Sequence, residues 1–207
     1  MALVILMRHG EAENNVIHIL AGRREEYHLT EKGKAQVADT AEKLKTVPID
    51  VIYTSPITRA METSQIVAGK IGMDYKIDER LTETEMGSLT GMYTNDVSKK
   101  YGNLFLRFYQ DDDATLSNMG IERFSAIGAR MSNMLDHIAE KHPNKNVLLV
   151  THLDPIKAAV KRIMYLKPEV LLKMAIKNAS LTILNHSSTD YSLSGFNLMD
   201  ISRYFLE

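Results

Sequence analysis

The 207-residue sequence contains no cysteine. That absence excludes a disulfide framework, a thiolate zinc site, an iron–sulfur cluster and a cysteine nucleophile. Tryptophan is also absent, and only 11 Gly and 5 Pro are present. A disordered, collagen-like or linker-rich chain is thereby excluded. Neither sign of charge prevails: 25 Lys+Arg stand against 26 Asp+Glu, a formal net charge of -1. Bulk electrostatic capture of nucleic acid or of an anionic membrane is therefore not expected. Long hydrophobic runs are missing as well. The first, Ala2 to Met7, ends at Arg8, too short for a membrane span or a signal-peptide core. A cytoplasmic protein is expected.

Hydrophobic residues make up 44% of the chain and charged ones 25%, an ordinary globular composition. A single domain over 1–207 can bury roughly 70% of its unfolded surface without a disulfide or metal staple. No internal repeat or low-complexity segment interrupts it. The one dense charge run, Asp111-Asp112-Asp113, reads as a solvated loop.

Apolar patterning predicts alternating strands and helices. Leu3–Met7 and Val147–Thr151 are continuous apolar runs that suit strands buried on both faces. Asp50–Thr54 is a third strand, Tyr75–Ile77 a weaker fourth. Glu31–Leu44 carries apolar residues at helical spacing after Thr30, its expected N-cap. Pro56 and Pro155 are expected to open helices running to about Ile71 and Tyr165. Leu181–Leu184 and Tyr191–Leu193 alternate and predict a hairpin across Ser187–Asp190. The fold class is α/β, a mostly parallel sheet flanked by helices. Asn95–Met119 fits the alternation poorly and reads as a small helical cap insertion, about 95–119. Gly120–His142 returns to a long amphipathic helix.

Ligands of open α/β sheets bind outside the carboxyl ends of the strands. Arg8 and His9 follow the first strand, and Arg59 lies one helical turn beyond the second. Glu83 follows the third extended segment, and His152 follows Val147–Thr151. Two arginines can orient a phosphoryl dianion. One imidazole can attack phosphorus, and the other can stabilise its equatorial oxygens. A carboxyl group can protonate the leaving oxygen and then deprotonate a water. No metal-binding motif and no P-loop lysine is present.

These residues sit in a wider pattern. Leu6-Met7-Arg8-His9-Gly10-Glu11-Ala12-Glu13-Asn14-Asn15 is followed by Gly22, Leu29-Thr30-Glu31-Lys32-Gly33 and Tyr53-Thr54-Ser55-Pro56 with Arg59-Ala60. Glu79-Arg80-Leu81-Thr82-Glu83, Gly87, Gly91 and Val150-Thr151-His152 complete it. In this order and over residues 3 to about 165, the chain resembles the histidine phosphatase superfamily, in its phosphoglycerate-mutase-like branch. The resemblance implies metal-independent chemistry through a phosphohistidine. His9 would be the nucleophile, Arg8, Arg59 and His152 the phosphate pocket, and Asn15 an added donor. Glu83 would be the proton donor. Gly10 would fix the His9 tautomer through its carbonyl. Backbone at Ala21 and Gly22 would line the substrate side.

Three departures from the family pattern bear on the reaction. Leu153 stands where Gly is frequent, with its N–H still able to face the phosphate. Met86 and Thr94 replace a Tyr and a Lys of the phosphoglycerate mutases. Lys99-Lys100 and the lone Arg107 stand in place of an adjacent Arg pair in the cap. Hydrolysis of a small phosphomonoester is therefore the leading expectation. A phosphoglycerate mutase primed by 2,3-bisphosphoglycerate is the alternative, and a non-catalytic phosphate-binding module the third reading. A small phosphorylated metabolite is the expected partner, with no nucleic acid and no membrane. The alternating C-terminal segment offers a sheet edge for a homodimer.

Other polar residues have bland readings beside sharper ones. His18 and His28 lie near the substrate loop and are otherwise surface residues. Arg23-Arg24 is either a solvated pair or a rim that attracts a second anion. Phe105, Phe108 and Tyr109 are either the cap's own core or an apolar wall selecting the leaving group.

Overall fold

The computed structural model describes residues 2–111, 113–187 and 190–201. The first apolar run forms β1 (Ala2–Arg8), whose side chains alternate between two cores. Val4 and Leu6 enter one, while Leu3, Ile5 and Met7 enter the other. This is why the run is continuous rather than alternating. After the single turn α1 (Glu13–Val16) comes α2 (Glu31–Leu44), capped by Thr30, whose side chain accepts the Gly33 N–H. Then follow β2 (Val51–Thr54), α3 (Thr58–Ile71) and β3 (Lys76–Ile77). Helices α4 (Thr94–Tyr101), α5 (Leu104–Gln110) and α6 (Ala114–Asn118) occupy the segment expected to form a helical insertion. The long helix α7 (Phe124–Lys141) leads into β4 (Val147–Thr151), α8 (Leu153–Met164) and α9 (Pro168–Lys173). The chain returns as the antiparallel pair β5 (Leu181–His186) and β6 (Tyr191–Leu198).

The six strands form one sheet in the order β3-β2-β4-β1-β5-β6. The first four run parallel, and β5 runs against β1. Helices α2 and α3 pack together over one face, and α7 and α8 over the other. Each buried Leu, Ile or Phe contributes roughly 1.5–3 kcal/mol by leaving water. Phe124 is a keystone of the core shared with Val4 and Leu6, 2% exposed and edge-on to Phe108 and Tyr109. Truncating it to Ala would cost about 3–5 kcal/mol.

Several boundaries differ from the sequence reading, each for a local reason. Helix α3 begins at Thr58 rather than Pro56, because the Ser55 hydroxyl accepts the Ile57 N–H and forms a turn first. Helix α8 begins at Leu153, with Pro155 inside the first turn where no backbone donor is needed. Gly120–Arg123 do not join α7. Gly120 has φ +75, and Ile121 bridges to Met86. Strand β6 runs on to Leu198, with register shifts against β5. Helix α9 was not expected. Residue 112 of the acidic run and residues 188 and 189 of the expected hairpin turn lie outside the described residues. Among the described residues, no helix is long and apolar enough to cross a membrane.

Register delivers the site. Arg8 pairs with Thr151 across β1 and β4, and Thr54 pairs with Val150 across β2 and β4. The residues that follow, His9, His152 and Ser55, therefore emerge along one edge of the sheet.

Candidate active site

His9 is held by its backbone before its side chain acts. Its N–H donates to the Thr151 carbonyl at 3.0 Å, and its own carbonyl accepts from Ala179 N–H at 3.1 Å. The next turn presses against the start of α2. A Cβ on Gly10 would lie 2.7 Å from the Gly33 carbonyl oxygen, and one on Gly33 would lie 1.9 Å from that of Glu11. Only glycines permit this approach. The Glu11 carboxylate in turn accepts the Thr30 hydroxyl at 2.9 Å.

The His9 ring is buried, and its Nδ1 lies 2.7 Å from the Gly10 carbonyl. A carbonyl only accepts, so Nδ1 carries the proton and Nε2 carries the lone pair. Burial, then the charges of Arg59 and Arg8, hold the imidazole well below the ordinary histidine pKa. It is a neutral base beside two cations, the state a nucleophile requires.

Arg59, 2% exposed, is anchored by its Nη atoms. They donate to the carbonyls of Gly22 at 2.9 Å and Arg24 at 3.2 Å. Burial lowers its pKa to about 10, with a smaller contribution from Arg8. Arg8 donates to the Ile176 carbonyl. The Nε atoms of both arginines are buried without a partner. His152 stands beside His9, ring centroids 5.1 Å apart. Its Nε2 lies 2.8 Å from the Ser55 hydroxyl, which already accepts the Ile57 N–H. When the hydroxyl donates to Nε2, Nδ1 bears the ring proton. That Nδ1 is likewise buried without a partner. Asn15 follows the same logic. Its Oδ1 accepts from Ala12 N–H at 3.0 Å and from Asn178 Nδ2 at 3.2 Å, which leaves its own NH2 group free.

Glu83 accepts the Thr84 N–H on Oε1 at 2.9 Å and the Leu153 N–H on Oε2 at 3.3 Å. Burial, then the neighbouring Asp154 charge, raises its pKa to about 7. It is the glutamate of its segment that lines the cavity, whereas the Glu85 carboxylate turns back to the Gly87 N–H at 3.0 Å.

Arg8, His9, Asn15, Ala21, Gly22, Arg59, Glu83 and Leu153 all line one cavity of about 450 Å³, and His152 adjoins it through His9. Every expected site residue is thus brought together. The Leu153 N–H also faces this cavity wall, where it donates to Glu83. His18, Met86, Thr94, Phe105 and Tyr109 line the cavity too. His28 instead pairs with Glu62 at 2.7 Å. Phe108 belongs to the core. Sequence reasoning missed Asn14, Ser55, Asp154 and Asn178. Asp154 had a signal, a carboxylate two residues past His152 on a helix otherwise apolar there. Asn178 had none.

A neutral, buried imidazole beside two arginines, sharing a cavity with a carboxyl whose pKa is raised to about 7, is an arrangement suited to phosphoryl transfer. Residues 4–199 match the family model of the histidine phosphatase superfamily (branch 1), and the chain belongs to that superfamily. Among its relatives is a 2,3-bisphosphoglycerate-dependent phosphoglycerate mutase of Thermoplasma acidophilum. It is 33% identical over 187 residues, 89% of this chain and 88% of the relative. Phosphoserine phosphatase 1 of Hydrogenobacter thermophilus is 26% identical over 185 residues, 89% of this chain and 87% of that protein. The solved structure of Bacillus stearothermophilus YhfR superposes with a TM-score of 0.84 at 26% identity, covering 95% of this chain and 97% of that one.

Proposed function

We propose that the protein hydrolyses a small phosphomonoester through a phosphohistidine, without a metal. The observation that carries this reading is the set of buried donors without partners. Arg8 Nε, Arg59 Nε and His152 Nδ1 are buried without partners, both arginine charges reach His9, and the His152 ring stands beside it. Each unsatisfied buried donor costs about 1–3 kcal/mol, and a phosphoryl dianion would satisfy them all.

His9 Nε2 attacks phosphorus, forming the P–N bond as the bond to the leaving oxygen breaks. Glu83 gives its proton to that oxygen. Water then attacks the phosphohistidine, Glu83 takes the water proton, and the P–N bond breaks to release phosphate and restore His9. Glu83 at about 7 holds a proton in a useful fraction of molecules near neutrality. Helices α4 to α6 act as a cap, with Thr94, Phe105 and Tyr109 facing the leaving group.

The mutase reading has one observation in its favour, the 33% identity to a phosphoglycerate mutase. Against it, Met86 and Thr94 stand in the cavity wall. Phosphorus NMR with 3-phosphoglycerate, a trace of 2,3-bisphosphoglycerate and a chelator separates the two. Inorganic phosphate without 2-phosphoglycerate supports the phosphatase, and isomerisation supports the mutase. A His9→Ala variant that hydrolysed p-nitrophenyl phosphate undiminished would overturn both.

A further inference from the structure

The wall beside the general acid carries a second carboxylate. Asp154 lines the cavity at 5% exposure. Its Oδ1 accepts the Tyr109 hydroxyl and its Oδ2 the Thr84 hydroxyl, each at 2.9 Å. Thr84 is the residue whose N–H holds Glu83. Two carboxyl groups therefore flank the place where the leaving oxygen must sit. Lys157 is within electrostatic reach of both, but from outside the cavity. Its Nζ donates to the Tyr109 hydroxyl at 2.9 Å and lies over the ring, 4.7 Å from the centroid. It stays behind Tyr109 and does not line the cavity.

The nearby cations are committed elsewhere. Arg23 donates to the Glu83 carbonyl and to Glu122, both at 3.0 Å. Arg24 pairs with Glu26 at 3.2 Å, and Arg107 donates to Asp113. None of these three lines the cavity. Beyond Arg8, Arg59 and His9, which the phosphoryl group would engage, the one basic side chain among its described lining residues is His18. Asn14 adds an independent sign. It lines the cavity at 8% exposure, and its buried Oδ1 has no partner. That acceptor calls for a donor on the ligand.

We infer that the leaving group is an alcohol without an anionic substituent, an uncharged polyol or an amino alcohol, with Asp154 as the specificity determinant against anions. This rests on the phosphatase reading. A carboxylate on the leaving group would face the Asp154 carboxylate, beside the protonated Glu83, in a cavity that shields like charges poorly from one another. Hydroxyl or ammonium donors would instead meet Asn14 Oδ1 and the Asp154 wall.

The test is a matched pair. Glycerol 3-phosphate and 3-phosphoglycerate differ only in CH2OH against carboxylate. The wild-type protein is expected to favour glycerol 3-phosphate at least tenfold in kcat/KM, and Asp154→Asn to narrow that ratio about tenfold. Because it is a ratio, a general change in Glu83 acidity cancels. Where neither is turned over, their Ki values against p-nitrophenyl phosphate give the same ratio. Phosphoethanolamine distinguishes the sources: faster than glycerol 3-phosphate means an amino alcohol, slower means a polyol. Equal or better use of 3-phosphoglycerate by the wild type overturns the inference, as does a ratio unmoved by Asp154→Asn. Failure to hydrolyse p-nitrophenyl phosphate, with no acid-labile phosphate trapped on the protein, would instead overturn the phosphatase reading.

Discussion

Glu83→Gln should disable the enzyme and stabilise the protein above neutrality. The Glu83 pKa is raised from 4.5 to about 7. The folded state thus holds this proton more tightly than the unfolded chain does. Its stabilising contribution is full below 4.5 and is lost as pH rises through about 7. At pH 8 the protein bears a buried carboxylate whose disfavour, over that interval, amounts to roughly 3 kcal/mol. Gln matches the neutral acid in shape and removes that cost. One loss opposes it: the Leu153 N–H, 3.3 Å from Oε2, meets an NH2 group instead of an acceptor. That costs about 1 kcal/mol. The net at pH 8 is about 2 kcal/mol in favour of the variant, or a Tm rise of about 4–8 °C in a chain of this size. At pH 4.5–5 wild-type Glu83 is already mostly protonated, and the variant should melt about 2–4 °C lower. Calorimetry in phosphate-free buffer at the two pH values reads both. A Tm change of the same sign and size at both would refute the assignment of a buried, raised carboxyl. In parallel, kcat for an alkyl phosphate should drop by about 10²–10⁴. The loss should be smaller for p-nitrophenyl phosphate, whose leaving group needs less protonation.

Gly33→Ala places a Cβ 1.9 Å from the Glu11 carbonyl oxygen; it should cost several kcal/mol by urea titration, since two backbone segments must part. Ser55→Ala removes the hydroxyl that fixes the His152 tautomer at 2.8 Å; kcat should fall roughly 10–100-fold with folding retained by circular dichroism, by analogy with the loss of an outer partner of an active histidine. Wild-type hydrolysis of an alkyl phosphate should decline above about pH 7 as Glu83 ionises. No decline from His9 should appear until well below 6.5, where its imidazole protonates. Full activity after dialysis against excess chelator is expected, and a magnesium requirement would contradict the mechanism.

The sheet centre was legible because β1 and β4 are buried on both faces, and such strands need unbroken apolar runs. The Thr30 cap was legible because its hydroxyl answers a donor at the start of α2. Proline was a coarser guide. It is tolerated throughout a first turn, so Pro56 and Pro155 marked α3 and α8 to within two residues. Helix α9 spans Pro168–Lys173, too short for a 3.6-residue period to show. At the site, residues following strands could be read because strand ends converge on one edge. Ser55 escaped because its role is to orient another side chain. Asn178 escaped because tertiary contacts alone bring it there: it lies outside regular structure, next to Ala179 at φ +58, and reaches the carbonyls of His9 and Gly10.

The pairing of Arg8 with Thr151 across β1 and β4 also bears on the order of events during synthesis. His9 emerges 143 residues before its companion imidazole, His152. Parallel pairing between strands so distant in sequence forms slowly, since a long loop must close before any contact rewards it. An unfinished or partly folded chain therefore displays His9 without His152. Phosphoryl transfer should be the last property a refolding sample regains, after the helices have formed. The recovery of turnover would then serve as a clock for the joining of β1 to β4.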